Sequence, residues 1–384
     1  MATVPQRADA GRHRSSRATS GAQRSIDTVR ATAYTIPTET DEESDGTLVW
    51  DSTSIVVVEI GCGEVRGLGY TYADPTVASL VDSKLAPIVQ GSDPLELQRT
   101  WAEMQVQIRQ LGHSGLAAMA VSAVDIALWD LKARLLGVCL ADLLGRYRDA
   151  VPIYGSGGFC NLTPEQLRDQ VRGWMQADIP RVKIKVGRDP DADPERVRLV
   201  RDLVGPDVEV FVDANGAYTP HEAFAHAERF RELGVSYLEE PVSSQDVAGM
   251  AEVTRRAPPG LAVAAGEYGW NLPMLEELLG ARAVHILQAD VTRCGGITNL
   301  LRVDGLCKAR SFPFSAHCAP AVSAHVCCAM ETALHIEYFA DHVRIERILF
   351  DGTLSPAGGA LAPDRSRPGL GLELCRERAA EYEV

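Results

Sequence analysis

Five polar side chains follow short apolar runs at a regular spacing in the second half of the chain. Successive members lie 23 to 28 residues apart, about the length that a strand, a helix and two loops of a parallel α/β unit require. Because such strands end at one edge of their sheet, these side chains are expected to converge on one site. They are Asp213, Glu239, Glu267, Asp290 and His317.

Three of these residues are carboxylates that end successive strands, namely Asp213, Glu239 and Glu267. Adjacent strands lie about 4.8 Å apart, so the three can meet at one point, where a cation relieves their repulsion. Oxygen ligands suit Mg²⁺ and leave positions for water and substrate. Each carboxylate alone could equally form an ion pair or a helix cap, and the shared spacing is what favours a metal site. Asn215, two residues after Asp213, could bind a ligand or only shape its loop.

Two lysines lie on the preceding strand, Lys183 and Lys185, and their spacing points both to the same side. Close ammonium groups beside a cation lower each other's pKa, and a neutral lysine can act as a general base. The alternative is a pair of surface lysines on an edge strand, against which the apolar flanking residues argue.

Asp290 and His317 end the sixth and seventh strands, on the far side of the metal site from the lysines. A carboxylate beside an imidazole orients the ring and raises its basicity. Glu337 ends the eighth strand and is expected near His317. It either donates a hydrogen bond to a substrate oxygen, if protonated, or serves as an ion-pair partner.

This arrangement gives one base on each face of a metal-bound carboxylate. Binding to Mg²⁺ makes the neighbouring α-proton more acidic, and proton removal yields an enediolate whose charge the metal stabilises. Reprotonation on the opposite face inverts the carbon centre. Loss of a β-hydroxyl with acid assistance dehydrates the substrate instead.

The chain of 384 residues is long enough for a barrel of about 250 residues and a second, smaller domain. The predicted fold class is α/β: a modified TIM barrel, (β/α)7β, with an α+β capping domain formed by the N-terminal region and the C-terminal tail. A three-stranded antiparallel meander and a long buried helix, Leu116 to Leu136, are expected in the capping domain. No further full helical repeat is expected after the eighth strand. The predicted divisions are a disordered tail at 1–26, the capping domain at 27–148, the barrel at 149–345, and a segment at 346–384 that completes the capping domain.

The composition of the chain limits which kinds of binding partner are expected. A net charge of −14 is unsuited to a nucleic-acid backbone, and the chain has no apolar run approaching the roughly 20 residues of a membrane helix. Nine scattered cysteines suit reduced thiols in the cytoplasm. We therefore expect a cytoplasmic protein whose partner is a small-molecule carboxylate, with no nucleic acid and no membrane.

The pattern resembles the enolase superfamily, in its mandelate racemase subgroup, over roughly residues 27 to 375. A muconate-lactonizing enzyme would carry a lysine on strand six, where this chain has Asp290 and Thr292. The motifs that carry the resemblance are Lys183-Ile184-Lys185, Val212-Asp213-Ala214-Asn215, Leu238-Glu239-Glu240-Pro241, Gly266-Glu267, Asp290 to Gly296, Ser315-Ala316-His317 and Ile336-Glu337, with Val121 to Leu131 matching the long first-domain helix.

The resemblance implies Mg²⁺ as cofactor and a homo-oligomer. It implies Lys185 as one acid/base, tuned by Lys183, and His317 paired with Asp290 as the other. It also implies Glu337 as a hydrogen-bond donor to the substrate carboxylate. The remaining implied roles are those of the Mg²⁺ ligands, Asp213, Glu239 and Glu267.

The resemblance further implies that the first domain covers the barrel mouth and selects the substrate. The covering loops would be Ile36 to Trp50 and Gly67 to Pro75, with Trp50, Tyr70 and Tyr72 as the aromatic contacts. Acidic and tyrosine-bearing loops favour a polyhydroxy acid over an aromatic one.

The leading hypothesis is therefore dehydration of an acid sugar, an aldonate or aldarate, to a 2-keto-3-deoxy acid. The alternative is a racemase or epimerase of a 2-hydroxy acid, which shares the first half-reaction. A non-catalytic binding barrel is a third hypothesis, against which the complete set of polar strand-end residues argues.

Overall fold

A computed structural model describes residues 24–384 of the chain. Most of the tail expected at 1–26 lies outside the described residues. Ile26, which we assigned to that tail, is 2% exposed in an apolar core and exchanges backbone hydrogen bonds with Gly91 and Ser92. The tail prediction is therefore wrong at Ile26, because an apolar residue next to a strand contributes to the core.

The capping domain begins with the predicted antiparallel meander, with the strand Ser52–Cys62 between Thr28–Pro37 and Val65–Thr71. The long helix Leu116–Leu136 packs directly on the last of these strands. A Cβ on Gly67 or Gly69 would come within 2.3 Å of a helix carbonyl oxygen. Glycine thus permits the close approach of strand and helix. Smaller elements complete the domain: the paired strands Glu43–Ser44 and Val49–Trp50, a continuous helical run of Thr76–Leu80, Val81–Leu85 and Ala86–Val89, and the helices Leu97–Gln107, Ile108–Gln110 and Leu140–Leu144.

Buried polar contacts join the long helix to the barrel. Asp125 on this helix accepts hydrogen bonds from the backbone and hydroxyl of Thr298, on a barrel helix. From the neighbouring helix Leu97–Gln107, Trp101 donates its indole N–H to the carbonyl of Gly295, in the loop before that barrel helix. Such satisfied buried polar contacts fix one orientation between two packed layers.

Eight parallel strands form the barrel, and the eighth pairs with the first to close it. Apolar side chains of these strands and of the surrounding helices make up the largest core of the molecule. The strands are Val151–Gly157, Arg181–Lys185, Glu209–Asp213, Val235–Glu239, Ala262–Ala265, Ile286–Asp290, Phe314–His317 and Ala333–Phe339. The helices between them are Pro164–Gln176, Asp193–Val204, Pro220–Glu232, Val247–Arg256, Leu272–Gly280, Gly296–Arg310 and Pro320–Ala329.

A helix that the sequence did not predict, Ala340–Leu349, follows the eighth strand. It packs between barrel and capping domain and carries buried Asp341, His342 and Glu346. Because these polar residues occupy its inward face, the helix lacks a continuous apolar stripe. As the sequence predicted, no further strand–helix repeat of the barrel follows in residues 24–384, but this single helix was not predicted.

The chain after this helix returns to the capping domain. Phe350–Asp351 pairs with Glu373–Leu374, and Ala360–Leu361 adds antiparallel to the first barrel strand. The last residues bond to the first strand of the meander, where Thr35 donates to the carbonyl of Tyr382. The C-terminal segment therefore ties the two layers together. A helix long and apolar enough to cross a bilayer is absent from residues 24–384.

Candidate active site

The three strand-end carboxylates meet at the carboxyl end of the barrel. One oxygen from each of Asp213, Glu239 and Glu267 lies within 4.8 Å of the others. Gly266 lets the chain turn after the fifth strand, because its φ is +135° and a Cβ there would lie 2.0 Å from the carbonyl oxygen of Gln288. All three carboxylates are nearly inaccessible to solvent. We refer to Asp213, Glu239 and Glu267 as the acidic trio.

The two lysines lie on one side of the acidic trio. Lys185 Nζ donates to Asp213 Oδ2 at 2.6 Å, and Lys183 Nζ donates to Glu239 Oε2 at 2.6 Å. Burial lowers the pKa of Lys185, but the charges of Asp213, Glu337 and Glu267 together outweigh burial, so the net direction is upward. The lowered lysine pKa expected from the sequence thus depends on a cation that neutralises the acidic trio.

The imidazole lies on the opposite side of the acidic trio. His317 Nε2 is 3.0 Å from Glu267 Oε2, and His317 Nδ1 is 2.8 Å from Asp290 Oδ2. Burial would lower the pKa of His317, but Cys318, Glu267 and the other surrounding acidic groups raise it well above its ordinary value. Both oxygens of Asp290 are engaged, since Thr292 donates its backbone N–H and its hydroxyl to Oδ1, each at 2.7 Å.

Glu337 lies between the lysines and the imidazole. Its Oε1 is 2.7 Å from Lys183 Nζ and accepts from the Ser156 hydroxyl at 2.6 Å, while its Oε2 is 3.5 Å from His317 Nε2. Burial raises the pKa of Glu337, but the nearby positive charges, chiefly those of Lys183 and His317, lower it by a larger amount. The pKa of Glu337 therefore lies below its ordinary value. The sequence left two alternatives open for Glu337, and in the structure this residue is an ion-pair partner.

A cavity of about 450 Å³ opens above these groups. The first predicted covering loop contributes Asp45, Leu48 and Trp50, and the second contributes Tyr72 to Pro75. Gly46 lets the first loop touch the barrel, because a Cβ there would lie 2.5 Å from the carbonyl oxygen of Ala214.

Of the predicted substrate contacts, Asn215 and Trp50 line the cavity and Tyr70 does not. Tyr70 is fully buried beneath the helix Ala340–Leu349, where its hydroxyl donates to Glu346 at 2.5 Å. Its prediction as a substrate contact is therefore wrong, and Tyr72 occupies the cavity wall instead. Asn215 Oδ1 has no hydrogen-bond partner among the described residues and lies beside the acidic trio.

Sequence reasoning assigned no role to Arg293, which also lines the cavity. Its guanidinium lies 3.3 Å from Glu267 Oε1 and 3.6 Å from Asp290 Oδ2, and it covers the ring of Tyr268. It thus contributes positive charge where Glu267 and Asp290 approach each other. A basic residue three positions after a strand-end aspartate was the only signal in the sequence.

The acidic trio fits a magnesium ion. It is buried, supplies only oxygen donors, and includes Glu239 Oε1, which has no hydrogen-bond partner among residues 24–384. Burial and the charge of Asp213 raise the pKa of Glu239 to about 8. A divalent cation would remove that repulsion and satisfy the orphaned oxygen.

A capped barrel with this set of charged groups at its mouth defines an enzyme of the enolase type. The enolase C-terminal domain-like family model matches residues 166–379, and the model of the mandelate racemase / muconate lactonizing enzyme N-terminal domain matches residues 37–145. The chain belongs to the mandelate racemase / muconate lactonizing enzyme family of the enolase superfamily.

Three relatives show how far the similarity extends. A mandelate racemase/muconate lactonizing enzyme-like protein from Rubrobacter xylanophilus is 59% identical, with a TM-score of 0.91 over 94% of this chain and 99% of that one. The 3,6-anhydro-alpha-L-galactonate cycloisomerase of Streptomyces coelicolor is 30% identical, covering 94% of this chain and 99% of its own. L-talarate/galactarate dehydratase from Salmonella typhimurium, solved with Mg and L-lyxarohydroxamate, is 26% identical, with a TM-score of 0.86 over 98% and 97% of the two chains.

Proposed function

We propose that this enzyme abstracts the α-proton of a carboxylate substrate and, with Mg²⁺, dehydrates an acid sugar to a 2-keto-3-deoxy acid. The observation that carries the proposal is the position of two proton-transfer groups on opposite sides of the acidic trio. Lys185 contacts the trio at Asp213, and His317 contacts it at Glu267. A ligand held at the trio would therefore present one face to each group.

Asp213, Glu239 and Glu267 would hold the Mg²⁺. When bound, the ion supplies positive charge that offsets negative charge developing on the substrate carboxylate. The fit of the buried trio and the magnesium in relatives' structures support this assignment.

The chain's own residues would carry the proton. Lys185 or His317 takes the α-proton, and the electron pair of the C–H bond passes into the carboxylate to give an enediolate. Lys183 places positive charge beside Glu239 and Glu337. Asp290 holds the imidazole through Nδ1, which directs Nε2 towards the cavity.

The second step of the proposal is acid-assisted loss of the β-hydroxyl. The electron pair of the enediolate forms a C=C bond as the C–O bond breaks, and His317 gives a proton to the departing oxygen to release water. Asp290 stabilises the protonated imidazole before that transfer. The resulting enol gains a proton at carbon to become the 2-keto-3-deoxy acid.

The walls of the cavity favour a polyhydroxy substrate. Its hydrogen-bonding groups are distributed over the capping domain, the barrel and the helix after the eighth strand. Several separated hydroxyls can thus be recognised, whereas a phenyl ring would offer these groups no hydrogen-bonding partner. We include Asn215 and Trp50 among the substrate contacts on this ground. The polar wall comprises Asp45, Ser52, Thr53, Ser54, Tyr72, Asn215, Tyr268, Arg293, Asp341 and His342.

Two isomerisations share the first half-reaction. Epimerisation of a 2-hydroxy acid would use reprotonation by the opposite group, and the Lys185–His317 arrangement also supports it. Cycloisomerisation is the second alternative. It is supported by the similarity of this chain to the cycloisomerase from Streptomyces coelicolor, which extends over nearly the full length of both proteins. In both cases no water is lost.

A substrate panel tests the proposal. The enzyme is incubated with Mg²⁺ and a set of aldonates, aldarates, their lactones and anhydro acids, and products are assayed with semicarbazide and by NMR. We expect a semicarbazide-positive keto acid from at least one acyclic acid sugar. If the product is a stereoinverted acid or a rearranged ring and no keto acid forms, the enzyme is the corresponding isomerase and not a dehydratase. The absence of any reaction across the panel would contradict the proposal.

We propose in addition that the enzyme acts in the cytoplasm as a homo-oligomer. All nine cysteines are free thiols, as reducing compartments favour. Val106, Leu111 and Leu116 lie exposed around one end of the capping domain, and burial between copies would remove this apolar area from water. Light scattering of the purified protein checks the assembly, and a monomer at micromolar concentration would contradict it.

A further inference from the structure

Three different side chains meet beside the acidic trio, and the proposed reaction gives one of them, Cys318, no role. His317 Nε2, Cys318 Sγ and Glu337 Oε2 come from the ends of the seventh and eighth strands and lie within 4.8 Å of one another. All three residues are buried and all three line the cavity. We call this group the thiol site.

The geometry of the thiol site matches one face of a tetrahedral zinc site. The nitrogen–sulfur distance is 3.4 Å, the sulfur–oxygen distance 3.3 Å and the nitrogen–oxygen distance 3.5 Å. Zinc bonds of about 2.0–2.1 Å to nitrogen or oxygen and about 2.3 Å to sulfur, at tetrahedral angles, place ligand atoms roughly 3.3 to 3.6 Å apart. The three donor atoms therefore need little movement to coordinate one ion.

Other residues already orient two of the donors. Asp290 occupies His317 Nδ1, which leaves Nε2 as the coordinating nitrogen. Lys183 and Ser156 occupy Glu337 Oε1, which leaves Oε2 facing the thiol. Outer-shell hydrogen bonds of this kind fix the ligands of protein metal sites.

We propose that the thiol site is a second, softer metal site, which binds Zn²⁺ in preference to Mg²⁺ and thereby inhibits the enzyme. A thiolate selects zinc over magnesium, whereas the oxygen-only acidic trio does not. Three protein ligands leave a fourth position open to water from the cavity. Zinc bound there engages the Nε2 of His317, so the imidazole can no longer accept or give a proton.

The inhibitory consequence rests on the proposed function, but zinc binding does not. Binding is therefore measured first, on the full chain in saturating Mg²⁺, with Co²⁺ as a spectroscopic probe and Zn²⁺ as competitor. We expect one equivalent of Co²⁺ to give a near-ultraviolet thiolate charge-transfer band that Zn²⁺ abolishes. The variant Cys318→Ser should lack the band, whereas the matched control Cys375→Ser, altered at a cysteine far from the cavity, should retain it.

Calorimetry provides the affinity. Loss of outer-shell partners alone lowers metal affinity roughly 10- to 100-fold, so loss of the sulfur ligand should weaken Zn²⁺ binding by at least about 100-fold. Equal Zn²⁺ affinity in the wild type and Cys318→Ser, or no thiolate band in the wild type, would overturn the proposal.

A measurement on the wild type alone guards against a variant that fails to fold. Zinc-edge X-ray absorption should show one sulfur at about 2.3 Å among nitrogen and oxygen ligands, and a shell without sulfur would overturn the site. Where turnover is detected, Zn²⁺ should inhibit the wild type at concentrations at least about 100-fold below those that inhibit Cys318→Ser, each relative to its own zinc-free rate. Equal sensitivity would show that zinc acts at the acidic trio.

Discussion

The substitution Asp290→Asn should disable His317 while leaving the shape of the site unchanged. In the native site, Thr292 directs two donors, its N–H and its hydroxyl, at Asp290 Oδ1. In the variant the amide oxygen must stay at that position to accept them, which turns the amide NH₂ towards His317 Nδ1, 2.8 Å away. Nδ1 must then accept a hydrogen bond, so the proton moves to Nε2.

This tautomer removes both roles of the imidazole. A neutral ring with its proton on Nε2 has no lone pair facing the substrate, and the protonated ring loses the hydrogen bond to the Asp290 carboxylate that raises its pKa. The corresponding Asp-to-Asn change in a serine protease triad lowers kcat about 10⁴-fold. Since Glu267 still contacts His317 here, we expect a loss of about 10³-fold, or about 4 kcal/mol in activation free energy.

The assay is steady-state turnover on the best substrate of the panel, together with calorimetric Mg²⁺ titration and thermal unfolding. Turnover should fall while Mg²⁺ affinity and unfolding temperature stay close to wild type, because Asp290 is outside the acidic trio. As a control, Thr292→Val keeps the backbone N–H donor and the Asp290 charge, and should lose far less activity. Turnover of Asp290→Asn within tenfold of wild type would refute the role assigned to this pair.

Three further predictions concern the lysine, the metal and a buried acid. Lys185→Ala should abolish turnover yet bind Mg²⁺ in calorimetry, and wild-type turnover would contradict the two-base scheme. Glu239→Gln should weaken Mg²⁺ binding at least about tenfold, and an unchanged titration would exclude Glu239 as a ligand. Burial raises the pKa of Glu346 from 4.5 to about 8, so the folded state binds the extra proton and stability falls as pH rises through that window. Glu346→Gln should therefore gain up to roughly 4 kcal/mol relative to wild type between pH 5 and pH 8 in denaturant unfolding, and parallel pH profiles for both proteins would contradict this.

The sequence predicted the acidic trio because its signal is local. Each of the three carboxylates ends an apolar strand, or follows it within two residues, and the length of a strand–helix unit determines how far apart they lie in the chain. Parallel strands then bring equivalent ends together whatever the loop sequences are. The prediction that Lys183 and Lys185 point to the same side likewise followed from a local signal, the two-residue period of a strand.

The positions of the side chains that cover the site depend on contacts between distant parts of the chain, which the sequence does not reveal. Tyr70 and Tyr72 share one face of the capping sheet, and spacing alone makes them equivalent. What separates them is the helix Ala340–Leu349, whose Glu346 receives the Tyr70 hydroxyl across 276 positions of sequence. That helix was itself missed because buried charged residues interrupt its apolar pattern.

Arg293 was missed for a related reason. It lies in a loop, where no hydrophobic period indicates which way a side chain points. Only the packed structure shows it between Glu267, Asp290 and Tyr268. Cavity-lining groups of this kind are predictable from sequence only where an element fixes their direction.

In the proposed reaction, Lys185 and His317 together move the α-proton of a carboxylate substrate. Its most direct test is ¹H NMR of an acid-sugar panel in D₂O with Mg²⁺, comparing the wild type with the double variant Lys185→Ala/His317→Asn. For at least one substrate the wild type should replace the α-proton by deuterium or consume it in turnover, and the double variant, with Mg²⁺ binding retained, should do neither. Loss of the α-proton at an undiminished rate in the double variant would contradict the claim.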